Sequence, residues 1–181
     1  MKIHFILVLT TILTSYISIH AQAQKVLFVL SAEDTLKLNK GKKVRQTGVF
    51  LNEFYFAYHA IVSEDYTAEF ATPNGIKASI DQESIDDDYW KDDPSLKQKA
   101  IDFWENDNKF SHPITLDEAI NRSEEYIGLV IPGGQSLMVD LYHNPEIPVI
   151  LKTFALKKKA IGLICHAPAL ITTIPKNENP F

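Results

Sequence analysis

The sequence predicts an α/β fold built on a mainly parallel sheet, and three observations predict it. Short continuous apolar runs recur at Lys25–Leu30, Tyr126–Ile131 and Ala160–Cys165, the pattern of strands covered on both faces. Segments with helical spacing alternate with them, as in an α/β fold. The span from Tyr126 to Cys165 has the length of one βαβ unit, roughly 30 residues or more. A chain of 181 residues with 45% hydrophobic content can build a real core as one domain, and no internal repeat points to a solenoid.

Taken in order, the chain opens on Lys2 and a mostly apolar run from Ile3 to Ile19. Ala21-Gln22-Ala23 follows, the small-x-small pattern read by signal peptidase. The alternative is an uncleaved anchor, but the run is short for a membrane span and is broken by Thr10, Thr11, Thr14, Ser15 and Ser18. The expectation is a signal peptide over 1–23, export to the periplasm or medium, and no stable membrane anchor after cleavage. One domain then covers 24–181.

Lys25–Leu30 reads as the first strand, and the polar residues 31–46 as a solvated loop. Thr47 reads as the cap of a helix over Gly48–Ile61. Its apolar stripe holds Val49, Phe50, Phe54, Ala57 and Ile61, with Glu53 set among them. Tyr66–Ala71 is a second strand, closed by the turn signal Thr72-Pro73-Asn74-Gly75. The acidic stretch Asp81–Asp93 lacks the EF-hand pattern and reads as a solvated insertion. Leu96–Trp104 is a short helix, and Thr115 caps another that carries Leu116, Ala119 and Ile120. Tyr126–Ile131 is the third strand, ended by Pro132-Gly133-Gly134. Ile147–Lys158 is a helix whose C-terminal lysines complement its dipole, and Ala160–Cys165 is the fourth strand.

The charge balance, 18 basic against 23 acidic side chains, argues against a nucleic-acid binder driven by phosphate neutralisation. A single cysteine excludes an intrachain disulfide and a multi-cysteine zinc site. After export that cysteine is either buried and inert or kept for its chemistry. Its setting favours chemistry. Ile164-Cys165-His166-Ala167-Pro168 ends a strand and begins a helix, where open α/β sheets present their ligand sites. Free N–H groups at that helix start favour an anion, so the thiol is expected to ionise more easily than usual. Gly133-Gly134 alone reads as an ordinary turn. One βαβ unit before Cys165, however, its bare backbone N–H groups join that of His166 as candidate oxyanion donors.

Four stretches carry a family resemblance: Thr47-Gly48-Val49-Phe50-Leu51-Asn52-Glu53, Ala71-Thr72-Pro73-Asn74-Gly75 with Ile80-Asp81, Ile131-Pro132-Gly133-Gly134-Gln135 with Asp140-Leu141, and Ile164-Cys165-His166-Ala167-Pro168-Ala169. They resemble the ThiJ/PfpI superfamily, and within it the glutathione-independent glyoxalases and the 31-kDa heat-shock chaperones. The resemblance runs from Lys25 to about Ile174. It implies the class I glutamine amidotransferase-like fold, a flavodoxin-like three-layer sandwich. It also implies roles: Cys165 the nucleophile, Glu53 the acid touching its sulfur, His166 the histidine that follows, and Gly133-Gly134 the oxyanion loop. A carboxylate beside a thiolate is repulsive, so Glu53 is expected to hold a proton part of the time, with a raised pKa.

The implied activity is conversion of a 2-oxoaldehyde, a small-molecule carbonyl substrate, to a 2-hydroxy acid such as lactate. No metal or organic cofactor is implied, and a homodimer is. A non-enzymatic stress or holding protein, or an inactive truncated member of the superfamily, is the alternative; amidotransfer or another cysteine hydrolase activity is a weaker one. The pattern also departs from the family. Relatives carry further strands, a glycine-rich motif and an acid that orients the histidine. Here Glu178 is the only acidic residue after His166, and it lies close to the elbow. The domain is therefore expected to be incomplete at its C-terminus, with an open sheet edge. Gln135 stands where relatives often have histidine or glycine.

Overall fold

The computed structural model describes residues 24–181; the segment 1–23, read as a signal peptide, lies outside the described residues. Strand β1 (Lys25–Val29) sits at the centre of a five-stranded parallel sheet. β4 (Thr67–Thr72) and the two-residue β5 (Ile114–Thr115) lie on one side of it, β6 (Tyr126–Ile131) and β7 (Ala160–Leu163) on the other. The order is β5-β4-β1-β6-β7, and each pairing is parallel.

Alternation along β1 divides the core in two. Leu27 and Val29 pack with α4 (Leu116–Asn121) and α5 (Glu146–Leu156) through Leu116, Ile147, Ile150 and Phe154. Val26, Phe28 and Leu30 face α1 (Leu51–Ser63), α2 (Ser95–Asn106) and the short α3 (Asn108–Ser111), through Phe54, Ala100 and Phe110. The protein is thus a flavodoxin-like three-layer α/β sandwich, as the sequence predicts. Thr115 caps α4 by accepting the N–H of Glu118, also as read from the sequence. Among the described residues no helix is long and apolar enough to cross a membrane.

Four local expectations are corrected. Residues 31–46 are not a plain loop: Thr35–Leu38 (β2) and Lys43–Gln46 (β3) form an antiparallel hairpin apart from the main sheet. Asn39, Lys40 and Gly41 turn it with positive φ. Thr47 does not cap α1. Its hydroxyl donates to Asp81 at 3.1 Å, and Val49 pairs instead with Ile80 as a strand bridge, so the helix begins later, at Leu51, with Phe50 at its N-cap.

The acidic stretch is not simply solvated either. Asp81 is buried, accepts the Glu83 N–H as well as the Thr47 hydroxyl, and so starts a 3-10 turn. Trp90 is buried with its indole N–H donating to Ser84 O. Finally, the segment after the elbow, Ala167–Thr173, is a 3-10 helix rather than an α-helix. The hydroxyls of Thr172 and Thr173 take the carbonyls of Ala169 and Leu170, competing with the α ladder, and Pro175 prevents continuation.

Candidate active site

Three segments meet at the carboxyl ends of the central strands, the place where an open α/β sheet holds its ligands. The ladder of β6 and β7 continues one step past the strand, with Ile164 N–H on Ile131 O at 3.1 Å. The chain then turns at Cys165, whose φ of 55° is left-handed. A non-glycine residue there stores strain, and such strain collects at functional turns. The turn leaves Cys165 exposed instead of buried in the sheet.

The loop after β6 is the floor of the site. Gly133 N–H donates to Glu53 Oε2 at 3.0 Å, and Gly133 O accepts from Phe50 N–H at 3.2 Å, which docks the start of α1 on the loop. A Cβ at Gly133 would lie 2.4 Å from Glu53 Oε2 and 2.6 Å from Cys165 Cβ, so only glycine fits beneath the pair. Gly134 has φ 113°, and a side chain there would strike Gly48 O. Glu53 rises from the first turn of α1, and its Oε2 and the Cys165 side chain flank the same point above Gly133. His166 Nδ1 lies 3.1 Å from Cys165 Sγ.

Electrostatics couple the two acids. Burial raises the Glu53 carboxyl above its ordinary range, against the opposing pull of its bonds to Cys165 and Gly133. Burial and the adjacent Glu53 also push the Cys165 thiol up, while the N–H groups of His166 and Gly134 draw it down. This corrects the expectation of an easily ionised thiol: burial, with the adjacent Glu53, outweighs the local N–H groups. Glu53 and Cys165 therefore titrate as a coupled pair, a charge on either raising the cost of ionising the other.

The oxyanion donors divide accordingly. Gly133 N–H is committed to Glu53, whereas the N–H groups of Gly134 and His166 point at the sulfur. Among the described residues no carboxylate hydrogen-bonds the His166 ring; Glu178 pairs instead with Lys152 at 2.5 Å. Asp140, from the loop after β6, is half-buried, and loss of solvation raises its carboxyl above the ordinary range. It accepts the Ala32 N–H at 2.8 Å and ties the loop after β1 to the site's floor.

Sequence reasoning missed one rim residue. Arg45 on β3 donates to Gln135 Oε1 at 3.1 Å and to Glu83 Oε2 at 2.6 Å, and Glu83 accepts the Tyr89 hydroxyl. Nothing in the periodicity of 31–46 announces it, because its partners lie 38 and 90 residues away. Among the described residues no group of three His, Cys, Asp or Glu side chains is gathered to hold a metal ion.

Known proteins share this arrangement of segments. The DJ-1/PfpI family model matches residues 95–175, a segment that contains the Gly133-Gly134 loop and the Cys165 elbow. Over that segment the chain resembles the DJ-1/PfpI superfamily. A curated relative, the protein/nucleic acid deglycase HchA of Pseudomonas aeruginosa, is 28% identical over 65 residues, 36% of this chain and 22% of that protein. Among solved structures, the 24-kDa Rapid Encystment Protein of Francisella tularensis superposes with TM-score 0.66 at 24% identity, over 86% of this chain and 64% of that one. Glyoxalase III of Candida albicans superposes with TM-score 0.61 at 19% identity, over 82% of this chain and 59% of that one. These superpositions establish the fold. The chain spans less than two thirds of each of these proteins.

Proposed function

We propose that this protein belongs to the DJ-1/PfpI superfamily and is an exported, cysteine-dependent enzyme of the glyoxalase and deglycase kind, which converts 2-oxoaldehydes such as methylglyoxal to 2-hydroxy acids without glutathione. The observation that carries the reading is the Glu53–Cys165 pair above Gly133: a candidate nucleophile and a candidate proton donor brought together over one glycine. The names of HchA and of the Candida enzyme agree with it.

The chemistry needs a nucleophile, one mobile proton and an oxyanion site. Cys165 sulfur attacks the aldehyde carbon and forms the C–S bond. The carbonyl oxygen takes the charge, faces the N–H groups of Gly134 and His166, and then accepts the Glu53 proton to give a hemithioacetal. Glu53, now a carboxylate, removes the hydrogen from that carbon to form an enediol. Glu53 returns that proton to the neighbouring carbon, while the proton of the first hydroxyl passes to the second oxygen, and a thioester is left. Water hydrolyses the thioester, releasing the 2-hydroxy acid and restoring the thiol. His166, 3.1 Å from the sulfur, is the second proton carrier.

The test is consumption of methylglyoxal with stoichiometric formation of lactate. Cys165→Ala is expected to lower the rate by about 10³-fold or more. Undiminished lactate formation by that variant would sink the proposal. A holding role without turnover is the second reading, favoured by one observation: among the described residues the His166 ring has no orienting carboxylate, which makes it a poorer base.

A further inference from the structure

At the opposite end of the sheet from Cys165, the outer edge of β4 is unfinished. The parallel register turns Thr67, Glu69 and Ala71 toward β1, so Ala68, Phe70 and Thr72 face outward. β5 covers only Ala71 and Thr72. The N–H and C=O of Ala68 and the N–H of Phe70 therefore face a cleft instead of a strand. Among the described residues no side chain takes them.

Two adjoining hollows lie along this edge and share Thr67, Ala68, Phe70 and Lys109. One, of about 390 Å³, is lined by Lys25, Lys109, His112 and Ile114, with Glu69 at its side. The other, of about 190 Å³, is lined by Tyr58, Val62 and Tyr66. The first is basic on a protein whose net charge is −5. Its one acid, Glu69, is already bound by Arg122 at 3.0 and 2.9 Å, and Lys25 is paired with Glu125. Lys109 has no ion-pair partner among the described residues, and Asp107 in the second hollow accepts the Phe110 N–H.

We infer that the β4 edge is a docking site for an extended peptide with alternating apolar and acidic side chains, separate from the catalytic site. Open backbone groups call for a strand, since a strand supplies N–H and C=O groups along a line. Side chains on one face of a strand recur about 7 Å apart. One apolar side chain fills the hollow of Tyr58, Val62 and Tyr66, while an acidic one meets Lys109 and His112. A free phosphate would satisfy the cations but leave the open amides of Ala68 and Phe70 without a partner.

The test uses the full chain and a fluorescent, N-acetylated and C-amidated peptide of alternating valine and glutamate. The expected result is saturable, salt-sensitive binding with slowed hydrogen exchange at the amides of Ala68 and Phe70. Lys109→Glu should weaken binding by about tenfold or more and leave methylglyoxal turnover unchanged. A peptide N-methylated at alternate residues should not bind the unaltered protein, which tests the strand geometry without any mutation. Three outcomes overturn the inference. These are no binding, equal binding of the N-methylated peptide with displacement by inorganic phosphate, and competition by the peptide with self-association of the chain. None of these outcomes bears on Cys165, so this inference and the catalytic reading fail independently.

Discussion

Glu53 is held where its charge is least welcome, beside a sulfur and partly withdrawn from water, and this sets the pH behaviour of the site. If the pair trades a proton as proposed, kcat/KM should be bell-shaped. Its acid limb should lie above the ordinary carboxylate range and its alkaline limb above that of a free thiol. Glu53→Gln keeps an oxygen for Gly133 N–H but has no proton to trade, so turnover should fall about 10²-fold, and alkylation of Cys165 should follow a single ionisation. Stability should move the other way. A carboxyl whose folded pKa is raised above 4.5 stabilises the fold below that pH, and this contribution is lost as pH rises through the folded value. Calorimetry should therefore find Glu53→Gln more stable than the parent at neutral pH and no more stable at pH 4. A parent that is the more stable at both would contradict the assignment.

At the scale of elements, the β2–β3 hairpin matters because it reaches the oxyanion loop from outside the sheet. Arg45 joins Gln135, next to Gly134, to Glu83 and through it to Tyr89. As a positioning residue its loss should act on rate through Gly134: Arg45→Met is expected to lower kcat about tenfold with little change in KM. The change in stability should stay below about 1 kcal/mol, since the Arg45–Glu83 pair is half exposed. Lysine should not rescue, because it lacks the planar fork that spans two acceptors. Steady-state kinetics of both variants, with thermal melts, check this.

The same hairpin shows what was legible in sequence. The buried strands were, because continuous apolar runs such as Tyr126–Ile131 carry a local signal. Thr47 was misread because a hydroxyl before an apolar run is the mark of a helix cap, and only tertiary structure reveals that Asp81 claims it. The nearness of Glu53 to Cys165 was readable only through the family motifs, since no local pattern links residues so far apart. The role of Gly133 N–H, given to Glu53 and not to an oxyanion, needed the coordinates.

The molecule as a whole is fastened at the end opposite the site. Arg122 bonds Glu69, Glu118 and Glu125, Tyr126 donates its hydroxyl to Glu69, and Lys25 reaches Glu125, so the starts of β1, β4 and β6 are tied together. The bonds from Arg122 and then Lys25 hold the Glu125 carboxyl down at about 2. A depressed carboxyl stabilises the fold above its unfolded value of 4.5, and that contribution disappears as pH falls through about 2. Arg122→Met should shift the acid-unfolding midpoint, followed by circular dichroism, to higher pH. At neutral pH it should cost about 1 kcal/mol, a figure reduced for partial exposure. An unchanged midpoint would mean the network is ornamental.

The wide sequence separation of the site's parts also makes the thiol a clock. Glu53 and Gly133 are 80 residues apart, and Cys165 lies just beyond the last strand described. Contacts of that range are bought late in folding, after loop-closure entropy has been met. A refolding chain should therefore regain its helical signal before Cys165 acquires its native reactivity. A newly made chain, with its sulfur not yet guarded by Glu53, passes through an interval of chemical exposure that the finished protein does not share.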